Sequence, residues 1–573
     1  MTEKLDYDVV VVGSGAGGLL AAVRAHDLGL RTILIEKSDR FGGTSSVSGG
    51  AIWIPNNDDF KSGEDSPEQA LEYLIACTEG AVPKEKLERF VEVSPEIPRY
   101  LKKLGVEYYA HPVMSYPDYY PWNPGSQPRG RTLFVKPMDG AVLGDEFFRV
   151  RESYPEFKMF GNITMDLDEG AQIGGKFPGW IKATLKILAR YYGDIGWRRK
   201  THRDRKLALG NALTGGLRKA MLDRGVPLLL KTRLTKFVRD DSGAVTGIIA
   251  DRDGVELHIT ATKGVIMASG GYEQSPELRN RYFEQQTEAR WSATPRDNNT
   301  GDALLAALDI GADVAFMNEA WWAPTVAMPS THAPNTVRNI ALFFERGYPH
   351  IMAVNRLGKR FTNEICSYHQ FGQAMLRDNE ATGANMPCWL IFDADFRQNY
   401  PLGGLLPAWV APDKKLPQDW FDNFLYKAES IDALASKIGV PRETLVEQVS
   451  RFNRFAENGI DEDFGKGDNV YNKFFGDPRH PSNNKVLGAV AKGPFYAVRC
   501  DLGDIGSKGG PKTDENANVL DKTGKPIPGF YAIGNASGSV MGRSYPGAGA
   551  TLGAAMTFGY VAATRMAQVN SFK

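Results

Sequence analysis

The chain has 573 residues, 42% of them apolar, enough for more than one buried core, so two or more domains are expected. Its 68 basic and 68 acidic residues balance, so no global positive field exists to recruit phosphates, and no nucleic-acid partner is expected. Four scattered cysteines (Cys77, Cys366, Cys388, Cys500) without CxxC spacing point to neither a metal site nor a disulfide framework, and fit a reducing cytoplasm.

The N-terminus runs MTEKLDYD straight into a strand, so no signal peptide is expected, and no window reaches 18 uninterrupted apolar residues, so neither is a transmembrane helix. Residues 7–12 are a β-branched run suited to a strand buried on both faces. Gly13-Ser14-Gly15-Ala16-Gly17-Gly18 follows, then an Ala/Leu-rich helix to about Gly29, a second strand at 32–35, and Glu36-Lys37. This is the strand–GxGxxG–helix–strand–acid order of a dinucleotide fold. Gly13 allows the tight turn, Gly15 the approach of a pyrophosphate, and Gly18 close helix–strand packing. The helix N-terminus offers free N–H groups to the diphosphate, and Glu36 can accept from ribose hydroxyls.

The motif alone does not separate NAD from FAD. Phe41-Gly42-Gly43-Thr44-Ser45 and Ser48-Gly49-Gly50-Ala51 form small-residue loops on which an isoalloxazine and its ribityl chain could lie. Helical periodicity covers 66–105, and a loop rich in Tyr and Pro covers 108–128. Within 150–206, Ile181, Leu185, Leu188 and Tyr192 share one helical face, and Lys182, Lys186 and Arg190 another. Trp197-Arg198-Arg199-Lys200 extends the basic character. This segment reads either as a solvated surface helix or as an interfacial membrane anchor.

A helix at 214–224 and strands at 227–230, 244–249 and 264–268 return to the first domain, the last ending in Ala268-Ser269-Gly270-Gly271. Asn299-Thr300-Gly301-Asp302 opens another helix, where Asp302 could cap it or meet the ribityl chain. Residues 529–535 read as a strand ending in Gly534-Asn535. Gly547-Ala548-Gly549-Ala550-Thr551-Leu552-Gly553 then starts an apolar helix to about Met566, whose positive end could face the flavin edge that gains negative charge on reduction. The expected fold class is therefore α/β: a Rossmann-type FAD-binding domain from both chain ends (1–318 and 507–573) around an inserted α+β catalytic domain (319–506).

Three tyrosines stand out: Tyr119 in YPDYYP, Tyr368 in NEICSYHQFG and Tyr545 in SYPGAG. Taken alone, each of the 22 tyrosines is most often a packed aromatic. With the end-to-end flavin arrangement, the chain resembles the fumarate reductase/succinate dehydrogenase flavoprotein superfamily. Within it, FGGTS, DYY, NExxxYxQFG and YPGxG in this order resemble the 3-ketosteroid Δ1-dehydrogenases over nearly the whole length, apart from the insert at 150–206. The YPGAG form favours Δ1 over the related Δ4 enzymes, which stay open as the alternative.

The resemblance implies non-covalent FAD, since residues 41–51 lack the histidine that carries covalent flavin in the superfamily. It implies that Tyr545 and the Gly549 N–H form an oxyanion hole for the C3 enolate. Tyr368 would take the C2 proton with help from Tyr119, and a hydride would leave C1 for flavin N5. His369 is a rival proton acceptor. Trp53 and Trp321-Trp322 are expected to line an apolar steroid cavity. The expected partners are a 3-ketosteroid, a quinone or other electron acceptor, and a membrane surface if the basic insert is an anchor. The expected place is then cytoplasmic, or peripheral on the inner face of the cell membrane.

Overall fold

The computed structural model describes residues 2–61, 63–175, 177–330, 332–333 and 336–571. The chain divides into two units. One comprises Met1–Tyr282, Thr294–Ala320 and Gly506–Lys573, the other Phe283–Ala293 and Trp321–Ile505. The segment Phe283–Ala293 was expected in the first domain. It belongs to the second because Phe283 packs its ring on Trp322 (5.2 Å) and the Trp291 carbonyl accepts from the Thr325 hydroxyl (2.9 Å).

The first unit is built on an eight-stranded sheet in which the strand Thr2–Val12 lies between Thr32–Ile35 and Val255–Met267, parallel to both. Val9, Val10 and Val11 are all fully buried, as are Leu34 and Ile35, because both faces of this sheet are covered. Pro526–Ala532 adds in parallel to Val255–Met267, so the C-terminal part of the chain completes the sheet begun at the N-terminus. Thr232–Arg239 and Val245–Arg252 extend it as antiparallel strands. Thr232–Arg239 escapes simple alternation: its register shifts opposite Ile249 and Ala250, so its inward residues Leu234 and Phe237 are three apart instead of two.

Two helices cross closely on this sheet. A side chain at Gly17 would stand 2.8 Å from the Ala555 carbonyl oxygen, and one at Gly559 2.8 Å from that of Gly17. The N-terminal helix Ala16–Asp27 and the C-terminal helix Ala550–Gln568 therefore meet backbone to backbone. The helical stretch at 66–105 is three helices, Pro67–Thr78, Lys84–Val93 and Glu96–Lys103.

The second unit carries a six-stranded sheet, ordered Val337–Ala341, Ala320–Pro329, Phe495–Ser507, Cys388–Phe392, Ile351–Val354, with Leu425–Ala428 also on Phe495–Ser507. The helices Ile431–Ile438 and Arg442–Asn458 bury Leu434, Leu445 and Phe452 against Met352, Val354 and Ile391. Among the described residues no helix is long and apolar enough to cross a membrane.

Candidate active site

The candidate cofactor residues come together through a chain of hydrogen bonds in the first unit. Gly13 has φ +106°, and a side chain there would meet the Ala268 carbonyl oxygen at 2.5 Å, so only glycine fits this turn. Glu36 accepts from the Ser14 N–H (3.1 Å) and hydroxyl (2.6 Å), while its other oxygen accepts from the Ser38 N–H (2.9 Å). The acid expected to meet a ribose thus also fixes the glycine turn. The Ala16 N–H donates to the Ser45 hydroxyl (3.1 Å). Among the described residues, the N–H groups of Gly15, Gly17 and Gly18 have no acceptor within the chain, as suits a diphosphate cradle.

The small-residue loops join the same surface. Gly43 and Thr44 open the short helix Gly43–Val47, and the Asn299 amide donates to the Thr44 hydroxyl (2.9 Å) and to Glu273 (2.6 Å). Gly270 lies under Asn299, where a side chain would stand 2.3 Å from Asn299 Oδ1. The Ser48 hydroxyl donates to the Ser45 carbonyl (2.7 Å) and accepts from the Gly50 N–H (3.1 Å), which folds Gly49-Gly50 back on the loop. Gly534 lies against Ala555 of the C-terminal helix, with Asn535 beside it in the same turn. This donor-rich, side-chain-poor surface fits FAD.

One capping expectation is corrected. The helix Asp302–Asp309 is capped by Gly301 without a side-chain bond, and the Asp302 carboxylate instead pairs with Lys37 (2.9 Å) and Arg233 (2.6 Å). Two cations drew it away from its own helix end, and neither spacing nor periodicity reveals them.

The C-terminal turn brings the Gly549 backbone and the Tyr545 side chain together. Gly549 has φ +95°, and a side chain there would stand 2.6 Å from the Ala51 carbonyl, so the start of Ala550–Gln568 is seated directly on the small-residue loop Ser48–Ala51. Among the described residues the N–H groups of Gly549, Thr551 and Leu552 have no acceptor within the chain. Tyr545, four residues before Gly549, is buried, and its ring meets that of Tyr119 edge-on at 5.4 Å. The Tyr119 N–H donates to the Pro546 carbonyl (2.9 Å), and the Thr132 hydroxyl to that of Ala548 (3.0 Å).

Beneath this turn lies a charged group that sequence reasoning missed. Arg131 is fully buried and donates two hydrogen bonds to Asp65 (2.9 and 2.7 Å) and one to Asp118 (2.8 Å). Asp118 also accepts from the Trp53 indole N–H (2.8 Å) and the Gln127 N–H (2.9 Å). Two carboxylates share one guanidinium, so one negative charge is in excess, and burial pushes the Asp118 carboxyl up to about 6 against the pull of Arg131. Asp118 was visible in the DYY motif, but the other members of its ion group, Arg131 and Asp65, lie 13 and 53 residues away along the chain, where no local pattern links them. Trp53, expected to line a cavity, is core instead: fully enclosed, it stacks on Phe90 at 6.1 Å and holds Asp118.

In the second unit the residues of NExxxYxQFG are held by defined contacts. The Asn363 amide donates to the Asn472 side-chain oxygen (2.8 Å). Glu364 is doubly bonded by Arg360 (2.8 and 2.9 Å), which also grips Asp461 (2.8 Å twice). Ser367 and Gln370 form a capping box, and Tyr368 is the first residue of the helix Tyr368–Thr382. Phe371 lies under the Arg346 guanidinium (4.9 Å), and a side chain at Gly372 would stand 2.7 Å from Trp322 Cβ. Tyr368 is buried with its ring edge-on to Phe343 (5.0 Å). Neighbouring His369 is wholly buried, and so are Trp321 and Trp322.

The basic insert is helical at Leu167–Gly174, Trp180–Gly193 and Ile195–Arg198. Ile187 and Tyr191 face inward with Ile163, whereas Ile181, Leu185, Tyr192 and Ile195 are 57–62% exposed. Lys182 and Lys186 are exposed beside them. Arg190, expected with those lysines, pairs instead with Glu169 (3.2 Å) and Asp204 (3.0 Å), carboxylates outside its own helix.

With this geometry in place, the comparisons define the class of protein. Residues 8–552 match the FAD binding domain family, and together with the relatives that follow this defines the chain as an FAD-dependent oxidoreductase. It is 36% identical to a 3-oxosteroid 1-dehydrogenase of Mycolicibacterium smegmatis, covering 98% of this chain and 97% of that one. The 3-ketosteroid delta1-dehydrogenase of Sterolibacterium denitrificans, solved with 1,4-androstadiene-3,17-dione, is 44% identical over 98% of this chain and 99% of that one, with a TM-score of 0.93. The chain belongs to the 3-oxosteroid 1-dehydrogenase family. The 3-ketosteroid-delta4-(5alpha)-dehydrogenase of Rhodococcus jostii shares the fold, at 21% identity over 98% of this chain and 97% of that one, with a TM-score of 0.63.

Arg131→Met should lower folding stability by about 3–5 kcal/mol, because two buried carboxylates lose their counter-charge. The thermal unfolding midpoint checks this, and a midpoint equal to wild type contradicts it.

Proposed function

We propose that the protein introduces the C1–C2 double bond into the A ring of a 3-ketosteroid. The observation that carries the reading is one turn of backbone. A buried tyrosine, Tyr545, and a glycine N–H with no acceptor among the described residues, Gly549, lie four residues apart at the start of a helix. A ketone oxygen at these two donors gains hydrogen bonds as it turns into an enolate, and one such donor is typically worth ~3 kcal/mol of barrier. Bound FAD supplies the hydride acceptor. The free N–H groups of Thr551 and Leu552 favour negative charge at the same helix end.

Tyr368 is assigned the C2 proton. An ordinary phenol has a pKa of about 10 and is a poor base at neutral pH. The first turn of the 15-residue helix that Tyr368 opens favours its phenolate, because the N-terminal end of a helix dipole is positive. Tyr119 is assigned to assist it. The Δ1 reading is supported over Δ4 by the 44% identity to the delta1 enzyme, against 21% to the delta4 enzyme.

A lipid-borne quinone as electron acceptor and a peripheral position on a membrane form part of the same proposal. Their support is the insert's apolar ridge of Ile181, Leu185, Tyr192 and Ile195 bordered by Lys182 and Lys186, the composition of an interfacial helix. An insoluble steroid and a quinone both partition to that surface.

Tyr545→Phe should slow the limiting rate of flavin reduction by about a hundredfold, the worth of one oxyanion donor, while steroid still binds. Tyr368→Phe should slow it at least as much. Stopped-flow absorbance with a 3-ketosteroid checks both, and weaker binding at an unchanged rate contradicts the assigned roles. Replacing Ile181, Leu185 and Ile195 together by Glu should abolish co-sedimentation with anionic vesicles, since each buried side chain contributes about 1.5–3 kcal/mol. Unchanged sedimentation would remove the membrane reading.

A further inference from the structure

Two side chains grip opposite ends of a single peptide plane next to the proposed oxyanion donor. The Ser544 carbonyl accepts from the Lys508 amine, and the Tyr545 N–H donates to the Tyr120 hydroxyl oxygen at 3.1 Å. These are the carbonyl and the N–H of the one peptide unit that leads into Tyr545. The Pro546 carbonyl, two residues further on, accepts from the Tyr73 hydroxyl (2.7 Å) and the Tyr119 N–H (2.9 Å). This turn belongs to no helix or strand, so its backbone polar groups cannot be satisfied by a ladder and need partners from elsewhere.

The choice of lysine is unusual for a backbone clamp. Lys508 is completely buried, and burying an ammonium is costly. Burial moves its pKa down to about 7, opposed by the charge of Glu319, which itself lies 3.6 Å from Arg543. A neutral amine still carries N–H bonds, so the grip on Ser544 survives in either protonation state. It therefore persists at the alkaline pH that favours a phenolate base.

We propose that Lys508 and Tyr120 are positioning residues that aim the Tyr545 hydroxyl. Fixing both ends of the Ser544–Tyr545 peptide fixes the direction in which the Tyr545 side chain leaves the backbone, and its ring then rests edge-on against Tyr119 (5.4 Å). A tyrosine is a long lever, so a small rotation of that peptide becomes a displacement at the hydroxyl. A misplacement of about 1 Å is enough to cost on the order of a hundredfold in rate. This inference rests on the reading of Tyr545 as the enolate donor.

The test uses the FAD-loaded enzyme, mixed anaerobically with 4-androstene-3,17-dione, and reads the limiting rate of flavin bleaching separately from the steroid dissociation constant. Lys508→Met and Tyr120→Phe should each slow bleaching by about tenfold to a hundredfold while leaving the dissociation constant close to wild type. Placed on Tyr545→Phe, neither should slow it further, because both act through the hydroxyl already removed. An unchanged rate in the single variants, or an equal loss on the Tyr545→Phe background, would overturn the proposal. If Lys508→Met does not hold FAD, Tyr120→Phe decides, since it keeps its ring and removes one oxygen. A Tyr545→Phe enzyme that bleaches at the wild-type rate would instead remove the reading on which the inference stands.

Discussion

The close approach of Gly549 to Ala51 is the contact on which both halves of the proposed chemistry depend. No Cβ can stand there, and the positive φ at Gly549 is open to glycine at little cost. Because the contact is backbone on backbone, the first N–H groups of the C-terminal helix open beside the loop that follows the dinucleotide turn. Candidate cofactor residues from the N-terminal part of the chain and the proposed oxyanion residues from the C-terminal part are thereby set by the same few atoms. The helix crossing at Gly17 and Gly559 serves the same end, since it holds the two helices whose N-termini carry the free donors.

A turn with so little regular structure must be held from outside, and the first unit does so in two layers. Hydroxyls and amides of Tyr73, Tyr119, Tyr120 and Thr132, with the Lys508 amine, reach its backbone directly. Behind them the buried Arg131, shared between Asp65 and Asp118, fixes the segment from which Tyr119 and Tyr120 project. A buried ion group of this kind is costly to assemble and more costly to break. Such groups serve geometry more readily than net stability. The second unit repeats the device around Glu364, with Arg360, Asp461 and Lys466 behind the helix that begins at Tyr368.

Much of this was legible in the sequence because it is local. The glycine turn, the β-branched strands, the small-residue loops and the helix after Gly549 each announce themselves within a few residues. The family's four motifs then ordered the candidate tyrosines. What was not legible is what depends on residues far apart in the chain. The ion pair that takes Asp302 away from its helix end, the Asp65–Arg131–Asp118 group, Glu273 under Asn299 and the Lys508 clamp all join positions that no periodicity connects. Trp53 was misread for a related reason: a large aromatic beside a ligand loop can line a cavity or support the loop from behind. The Phe90 ring and the Asp118 carboxylate that decide the matter lie 37 and 65 positions on.

The central claim is that one turn holds the flavin end of the site and stabilises a 3-keto enolate during 1,2-desaturation. Its most direct test is anaerobic mixing of the yellow enzyme with 4-androstene-3,17-dione, followed by identification of the steroid formed. The account predicts bleaching of the flavin with equimolar 1,4-androstadiene-3,17-dione. A flavin that stays oxidised with this steroid, yet bleaches with the A-ring-saturated 3-ketone to give a C4–C5 double bond, would contradict it.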